Sequence, residues 1–239
     1  MNWKNAQTKI LEVGTALVIL LCLSVIPAFA RGGGGRNSGA GGILYIILMP
    51  FIIIYGWYVN RKINQKKAQA DALLDKLSKK DPAWDEKHLE SVVRTTFFKI
   101  QSAWCDQNKD ALKTLLATDL LTEWSLQIDD LKAKGCRNVM DGLTVDGVRI
   151  VEVQNYQDTA KDSFTVCIDA AATDYTVDRN GNIVDSNTRN RSKQAHGEKA
   201  LEKFREFWTY ERQGNDWKLA SIDQSGNWKR SVEAPLVDE

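Results

Sequence analysis

The sequence has few of the residues that build metal sites, disulfide frameworks and common catalytic centres. Its 239 residues include four cysteines and two histidines. No cysteines form a CxxC pair, and their spacing fits neither a zinc site nor a disulfide framework. Scattered thiols at Cys105, Cys136 and Cys167 suit a reducing compartment. His88 and His196 stand in no nucleophile or metal signature. We therefore predict no metal, no cofactor and no catalytic residue.

Acidic residues are scarce in the first third of the chain only. Residues 1–80 contain 11 Lys/Arg and 3 Asp/Glu, a net charge of +8, whereas residues 81–239 contain 21 and 28, a net charge of −7. A mildly acidic C-terminal part argues against nucleic acid as its partner. The basic charge beside the apolar segments suits a surface of anionic lipid headgroups. Basic residues beside apolar segments can also serve only to set membrane topology.

Residues 1–30 have the pattern of a secretory signal peptide. Lys4 and Lys9 precede an uncharged apolar run from Val13 to Ile26, and an A-x-A cleavage site ends at Ala30. We expect cleavage after Ala30, with an uncleaved first transmembrane helix as the alternative. Residues 31–42 are rich in glycine, which is typical of a flexible linker.

A second apolar run, Ile43–Val59, predicts a transmembrane helix. Its 17 residues reach about 25 Å as a helix, the short end for a span. Tyr45 lies near one end, and Tyr55, Trp57 and Tyr58 lie near the other. Four basic residues follow directly: Arg61, Lys62, Lys66 and Lys67. The positive-inside bias then places the C-terminal domain in the cytoplasm. After signal cleavage the protein would cross a bacterial inner membrane once, with those four residues at the membrane surface.

Residues 60–80 predict a basic helical stem that lies on the membrane as an amphipathic segment or serves as a solvated spacer. A folded domain follows. Asp81 and Pro82 have the pattern of an N-cap and first helical residue, and apolar residues at helical spacing continue to Trp104. After Gly135 the period changes to two. Helices first and about four strands after them predict an α+β fold, with helices on a curved antiparallel sheet.

The predicted organisation is therefore a signal peptide (1–30), a linker (31–42), a transmembrane helix (43–59), a basic stem (60–80), a folded domain (81–224) and a tail (225–239). A curved sheet closed by a long helix can leave an apolar cone between them. A pocket in this cone would take an acyl chain or an apolar side chain, although these residues can equally fill the core. The candidate lining residues are Trp84, Phe97, Phe98, Trp104, Phe164, Phe207 and Trp208.

The last strands resemble a known family. The segment Phe204–Arg212, followed by Trp217–Leu219 and Ile222, is similar to the closing hairpin of the domain in subunit 44 of the mitochondrial inner-membrane translocase and its bacterial relatives. The helix ending at Ala103 and Trp104, with Asp110 and Leu112 after it, is similar too. The resemblance covers roughly Asp81 to Gln224. It implies a cystatin-like or nuclear-transport-factor-2-like fold at the inner face of an energy-transducing membrane. It also implies contact with acidic, cardiolipin-like phospholipid and a scaffold role toward membrane or chaperone proteins.

Two alternatives to a non-enzymatic scaffold stay open. The first is a small-molecule enzyme that uses the cone, with Glu206, Asp223 and Tyr210 as the groups for acid–base chemistry, a hypothesis that rests on fold analogy alone. The second is a ribosome or translocon receptor that uses the basic loop Arg189–Lys199, although such loops are usually only solvated.

Overall fold

The computed structural model describes the backbone of residues 39–186 and 201–239, with side chains for residues 48–185 and 201–239. The predicted signal peptide, residues 31–38 of the predicted linker and the basic loop Arg189–Lys199 lie outside the described residues. One compact unit begins at Tyr55 and runs to Glu239, and the residues up to Ile54 belong to a separate unit.

The first helix, α1, runs from Gly39 to Leu77. It includes residues 39–42 of the predicted linker, the whole predicted span and most of the predicted stem. Among the residues with described side chains, no helix is both long enough and apolar enough to cross a membrane. The first five residues of the predicted span Ile43–Val59 lie outside that set.

The stem part of α1 packs against the folded unit and is not a solvated spacer. Its buried positions recur every three or four residues, which places them on one side of a helix. The folded unit therefore extends well to the N-terminal side of Asp81, where the sequence pattern had suggested its start. The buried residues are Val59, Ile63, Lys66, Ala70, Leu74 and Leu77.

The long helix α2, Glu86–Cys105, begins later than its sequence pattern suggests. Asp81 caps only a short 3-10 turn, Pro82–Trp84, by accepting a hydrogen bond from the backbone N–H of Ala83. The carboxylate of Asp85 then accepts from the backbone N–H of His88 at 2.8 Å and caps α2. Two caps in succession let the chain turn between α1 and α2 without leaving helix donors unsatisfied.

Two shorter helices lead to the sheet: α3, Lys109–Leu115, and α4, Thr118–Lys134. Asn108 caps α3 by accepting from the backbone N–H of Ala111. Ala117 occupies the N-cap position of α4 without a side-chain hydrogen bond. Gly135 ends α4 at a φ of 67°, a left-handed conformation that favours glycine.

A curled sheet of six described strands follows, in the order β5-β4-β2-β1-β6 with β3 paired to β2. All pairs are antiparallel except β1 with β6. Three register shifts along the β1–β2 pair mark bulges, which bend and twist a sheet. The α+β class and the curled antiparallel sheet are thus confirmed, with more strands than expected. The strands are β1 (Arg137–Asn155), β2 (Ser163–Val177), β3 (Ile183–Ser186), β4 (Glu202–Gln213), β5 (Asp216–Gln224) and β6 (Val237–Asp238).

Both faces of the sheet are covered, and each contains buried apolar side chains. Adjacent residues of a strand point to opposite faces, and Phe207 and Trp208 of β4 are both fully buried. Trp208 lies on the first face, in the core that includes residues of α2, α3 and α4. Phe207 lies on the second face, with Cys167 and Val151, under side chains of α1 and the C-terminal segment.

The predicted tail, residues 225–239, is part of the fold. It contains helix α5, Trp228–Glu233, and strand β6. Trp228 and Val232 are buried on the second face of the sheet. Asp238 forms an ion pair with Lys76 near the end of α1. The C-terminal segment therefore holds α1 on the sheet.

We expect Ile63→Ala to lower the free energy of unfolding by about 2–5 kcal/mol, because it leaves a cavity in the core under α1. Chemical denaturation of the full-length protein in detergent, followed by tryptophan fluorescence, measures the loss. Gln65→Ala is the matched control, since Gln65 is exposed on the same helix. Equal stability of the two variants would contradict the packing of α1 against the sheet.

Candidate functional site

The residues predicted to line an apolar cone do not share one cavity. Trp84, Phe97, Phe164 and Trp208 are completely buried in the core of the first face, where their rings contact one another and neighbouring aromatic rings. Phe207 is buried on the opposite face. Phe98 is 45% exposed on α2. The space inside the curled sheet is thus filled by these side chains, which is the alternative that the sequence also allowed.

Trp104, the seventh of these residues, contributes to an open cleft of about 470 Å³. Its ring makes an edge-to-face contact with Trp124 of α4 at 4.9 Å between centroids. The cleft lies between the helices and the far end of the β1–β2 hairpin. Its mixed apolar and amide lining suits a side chain or a peptide segment better than an acyl chain. The lining residues are Trp104, Leu126, Gln127, Asp130, Leu131, Asn138 and Thr176.

Burial shifts the pKa values of two groups beside this cleft. Cys105 donates from Sγ to Oδ1 of Asn138 at 3.5 Å, and Asn138 donates from Nδ2 to Asp174 at 2.6 Å. Burial, together with the nearby carboxylate of Asp174, raises the pKa of the Cys105 thiol. Burial likewise raises the pKa of Asp174. A thiol whose pKa is raised is a weak nucleophile, so the cleft offers binding groups and no activated Cys105.

The three residues considered for acid–base chemistry lie apart. Glu206 lies on the same face as Trp208 and accepts from its indole N–H at 2.9 Å. Asp223 pairs with Phe207 in the β4–β5 ladder and so lies on the second face. Tyr210 is fully buried, and its hydroxyl is 2.8 Å from that of Thr96. Burial raises the pKa of Tyr210 far above its usual value.

Side chains that could bind a metal ion do not lie close together among the described residues either. Within the described residues, no group of three or more His, Cys, Asp or Glu side chains could hold a metal ion. His88 belongs to the first turn of α2, and His196 lies outside the described residues.

A buried ion-pair network joins the end of α1 to the sheet. Arg212 of β4 donates from Nη1 to Asp81 at 2.5 Å and to Asp162 at 3.2 Å. Asp162 is completely buried and also accepts from the backbone N–H of Tyr156. Partial burial alone would raise the pKa of Asp81, but the hydrogen bonds from Ala83 and Arg212 and the positive charge of Arg212 lower it. Removing Arg212 would leave Asp162 as a buried charge without its ion-pair partner, which typically costs about 3–5 kcal/mol.

A second network fixes the beginning of the stem. Arg149 of β1 donates to the amide oxygens of Asn60 and Asn64 on α1, at 2.8 and 3.0 Å. Its other terminal nitrogen donates to Asp169, which also accepts from Arg205 at 2.6 Å. The polar side of α1 is therefore bound to the second face as firmly as its apolar side.

The four basic residues predicted at a membrane surface have two different environments. Arg61 and Lys62 lie over the rings of Trp57 and Tyr58, at 5.4 and 5.8 Å from the ring centroids. Lys66 is buried and donates to the backbone carbonyl of Ala234. Burial lowers the pKa of Lys66, against the opposing charge of Glu152. Thus Arg61 and Lys62 can face a membrane surface, and Lys66 does not.

Lys67 is also engaged inside the protein. It bonds to Asp71 at 2.7 Å and to Glu86 at 2.8 Å, and so connects α1 to the first turn of α2. Partial burial would lower the pKa of Lys67, but the two hydrogen-bonded carboxylates raise it above its usual value.

Large apolar side chains are exposed along the N-terminal part of α1. Ile53 is 64% exposed and Trp57 is 62% exposed. An unbroken apolar series of this kind is unusual on a soluble protein, where exposed apolar residues are scattered. The exposed members are Met49, Phe51, Ile52, Ile53, Ile54, Tyr55 and Trp57.

With the fold and these sites described, the chain can be compared with known proteins. A family model described as "Tim44-like domain" matches residues 70–224. The chain belongs to the Tim44-like domain family. This match confirms the resemblance carried by Phe204–Arg212 and extends it into α1.

One solved structure similar to this Tim44-like chain is the intermembrane space region of the chloroplast protein ARC6. The two are 14% identical, with a TM-score of 0.40, and the match covers 59% of this chain and 95% of that chain. No curated protein matches the chain closely enough to be reported as a relative.

The boundaries of the Tim44-like domain leave two segments of the compact unit outside the match. These are residues 55–69, the beginning of the stem, and residues 225–239, the C-terminal segment. The sequence pattern did not predict that these two segments contact each other. Trp228, an aromatic residue in a supposed tail, is the one signal that could have indicated it.

We expect the stability of the Asp81→Asn variant to depend less on pH than the stability of the wild-type protein. The pKa of Asp81 is lower in the folded state than its ordinary value of 3.8, so the carboxylate stabilises the fold above that pH. This stability is lost as the pH falls through the folded-state pKa. Denaturation of both proteins at a series of pH values between about 2 and 6 measures the two slopes. Identical slopes would contradict the role of the Asp81–Arg212 ion pair.

Proposed function

We propose that this protein is a membrane-anchored, non-enzymatic scaffold that holds its Tim44-like domain against the cytoplasmic face of a bacterial inner membrane. Membership of the Tim44-like family supports a scaffold-type role. In this proposal, Ile43–Val59 crosses the bilayer, residues 1–30 direct the chain to it, and the folded unit binds acidic phospholipid and membrane or chaperone proteins.

The exposed apolar part of α1 carries the proposal. Leaving Phe51, Ile52, Ile53 and Ile54 in water forgoes about 1.5–3 kcal/mol for each side chain. A bilayer removes that cost without any rearrangement of the fold. The apolar run continues toward Ile43, and together these residues have the length of a short span.

The residues that follow the apolar run suit the boundary between lipid and water. Trp57 and Tyr58 are amphipathic rings, and Arg61 and Lys62 place their charges over those rings. Aromatic residues are enriched at membrane interfaces, and lysine and arginine collect on the cytoplasmic side. This arrangement favours a cytoplasmic position for the folded unit and contact with anionic headgroups.

The filled interior of the sheet supports a role without catalysis. The side chains that could have lined a substrate pocket pack against one another. Glu206 and Asp223 lie on opposite faces of the sheet, and Tyr210 is engaged with Thr96. The cleft beside Trp104 offers a place for a segment of a partner protein.

We expect the double variant Ile52→Lys and Ile53→Lys to be released from membranes by alkaline carbonate, whereas the wild-type protein stays with them. Each lysine near the centre of a span costs about 3 kcal/mol. The matched control is the double variant Leu126→Lys and Leu201→Lys. Both of these leucines are more than 60% exposed on the folded unit, so this variant should be retained.

N-terminal sequencing of the membrane-bound protein shows whether the first apolar run has been removed, and so which run anchors a variant that stays with the membrane. A lysine variant that is retained and begins at Arg31 would contradict membrane anchoring through Ile43–Val59. A retained variant that begins at Met1 would assign the anchor to the first apolar run and would contradict the single span proposed here.

A further inference from the structure

The two segments outside the Tim44-like match pack against each other. The indole Nε1 of Trp228 donates to the hydroxyl of Tyr55 at 3.3 Å. The ring of Tyr58 meets Trp228 edge-on, at 6.2 Å between centroids and an interplanar angle of 80°. Trp228 and Val232 are buried with Val59 and Ile63. Helix α5 is therefore fixed beside the residues of α1 that suit a membrane interface.

The outward side of α5 is basic. Lys229 and Arg230 are exposed, and the side chain of Arg230 is 81% accessible although it lies 3.7 Å from Asp223. Arg61 and Lys62 belong to the part of α1 whose Tyr55 and Tyr58 contact Trp228. We call these four residues the basic rim. Two acidic residues, Asp223 and Glu233, accompany the four basic residues of the rim, so the net charge of the six side chains is +2.

The basic rim and the exposed rings have the chemistry of a headgroup surface. Tyr55 and Trp57 are about half exposed or more and carry polar groups on apolar rings, which suits the lipid–water boundary. Lysine and arginine near that boundary attract anionic lipid. Two of the four charges come from α5, at the far end of the sequence, so the surface exists only because Trp228 holds α5 in place.

We infer that α5 is a second membrane contact of this protein. In this arrangement Lys229 and Arg230 bind anionic lipid headgroups beside Arg61 and Lys62. Because α1 continues from the anchor along the second face of the sheet, residues 55–63 of α1 and α5 form the end of the folded unit nearest the membrane. Helix α3 lies farther away, since Lys218, which donates to the carbonyl of Lys113, and Asp223, which pairs with Arg230, lie toward opposite ends of β5. The inference rests on the proposed anchoring through α1 and adds to it the orientation of the folded unit.

Site-specific photo-crosslinking in the full-length protein tests this orientation. A photoreactive residue is placed at Asn227, directly before α5, or at Thr114 of α3 as the matched control, since both positions are exposed. The proteins are reconstituted in vesicles of phosphatidylcholine with or without phosphatidylglycerol. Lipid adducts are counted by mass spectrometry. We expect adducts at Asn227 but not at Thr114, with more adducts when phosphatidylglycerol is present.

Charge reversal tests the basic residues themselves. Lys229→Glu with Arg230→Glu should lower the adducts at Asn227 about tenfold or more, since each basic residue near an anionic surface contributes about fivefold. Lys99→Glu with Lys113→Glu changes the same number of exposed charges on α2 and α3 and should leave the adducts unchanged. Equal effects of the two pairs would overturn the role of α5.

Resistance to carbonate extraction, measured on the same vesicles, separates the two proposals. Protein that resists extraction but gives no lipid adduct at Asn227 above that at Thr114 would overturn the second contact and leave the anchor intact. Adducts to a second protein copy in place of lipid would also overturn it. Protein that is extracted completely would overturn the anchoring on which the inference rests.

Discussion

The structure depends on burial of both faces of one curled sheet. Phe207 and Trp208 are neighbours in β4, point to opposite faces and are both removed from water. A sheet of this kind needs a layer on each side. Helices α2, α3 and α4 supply one layer together with Ala70, Leu74 and Leu77 of α1. The beginning of the stem, with Val59 and Ile63, and α5 supply the other. The stem is thus a structural layer of the domain, and any surface that it presents is fixed relative to the sheet.

Polar networks determine where the second layer sits. Apolar side chains of α1 could slide along the sheet with little loss, because hydrophobic contacts are not directional. Arg149 holds Asn60 and Asn64, Arg212 holds Asp81, and the buried Lys66 holds the carbonyl of Ala234. Charge-assisted hydrogen bonds of this type fix a register. They account for the buried Lys66 and, through Arg212, for the buried Asp162.

Much of the fold could be predicted from the sequence, and the missing parts share a cause. The helical stripe through Leu89, Phe97 and Ile100 and the alternation around Phe207 predicted the helices and the sheet. The stem predicted a membrane-surface segment or a spacer and not a layer of the fold. The reason is that lysines interrupt the stripe Val59, Ile63, Ala70 and Leu74, and one of these lysines is itself buried. The pocket prediction depends on a different property. An aromatic pattern indicates which residues are apolar, whereas only packing shows whether they leave a space.

The position of α5 has a consequence for biosynthesis. Domains generally begin to fold from the N-terminal side while the chain is being made. The second layer needs Trp228 and Val232, and β1 obtains its parallel partner only at Val237 and Asp238. These residues are made after the helices and the other strands, so one face of the sheet stays incompletely covered until they have left the ribosome. A truncated chain released early would expose Phe207 and Cys167, which gives chaperones and proteases a means to distinguish unfinished copies.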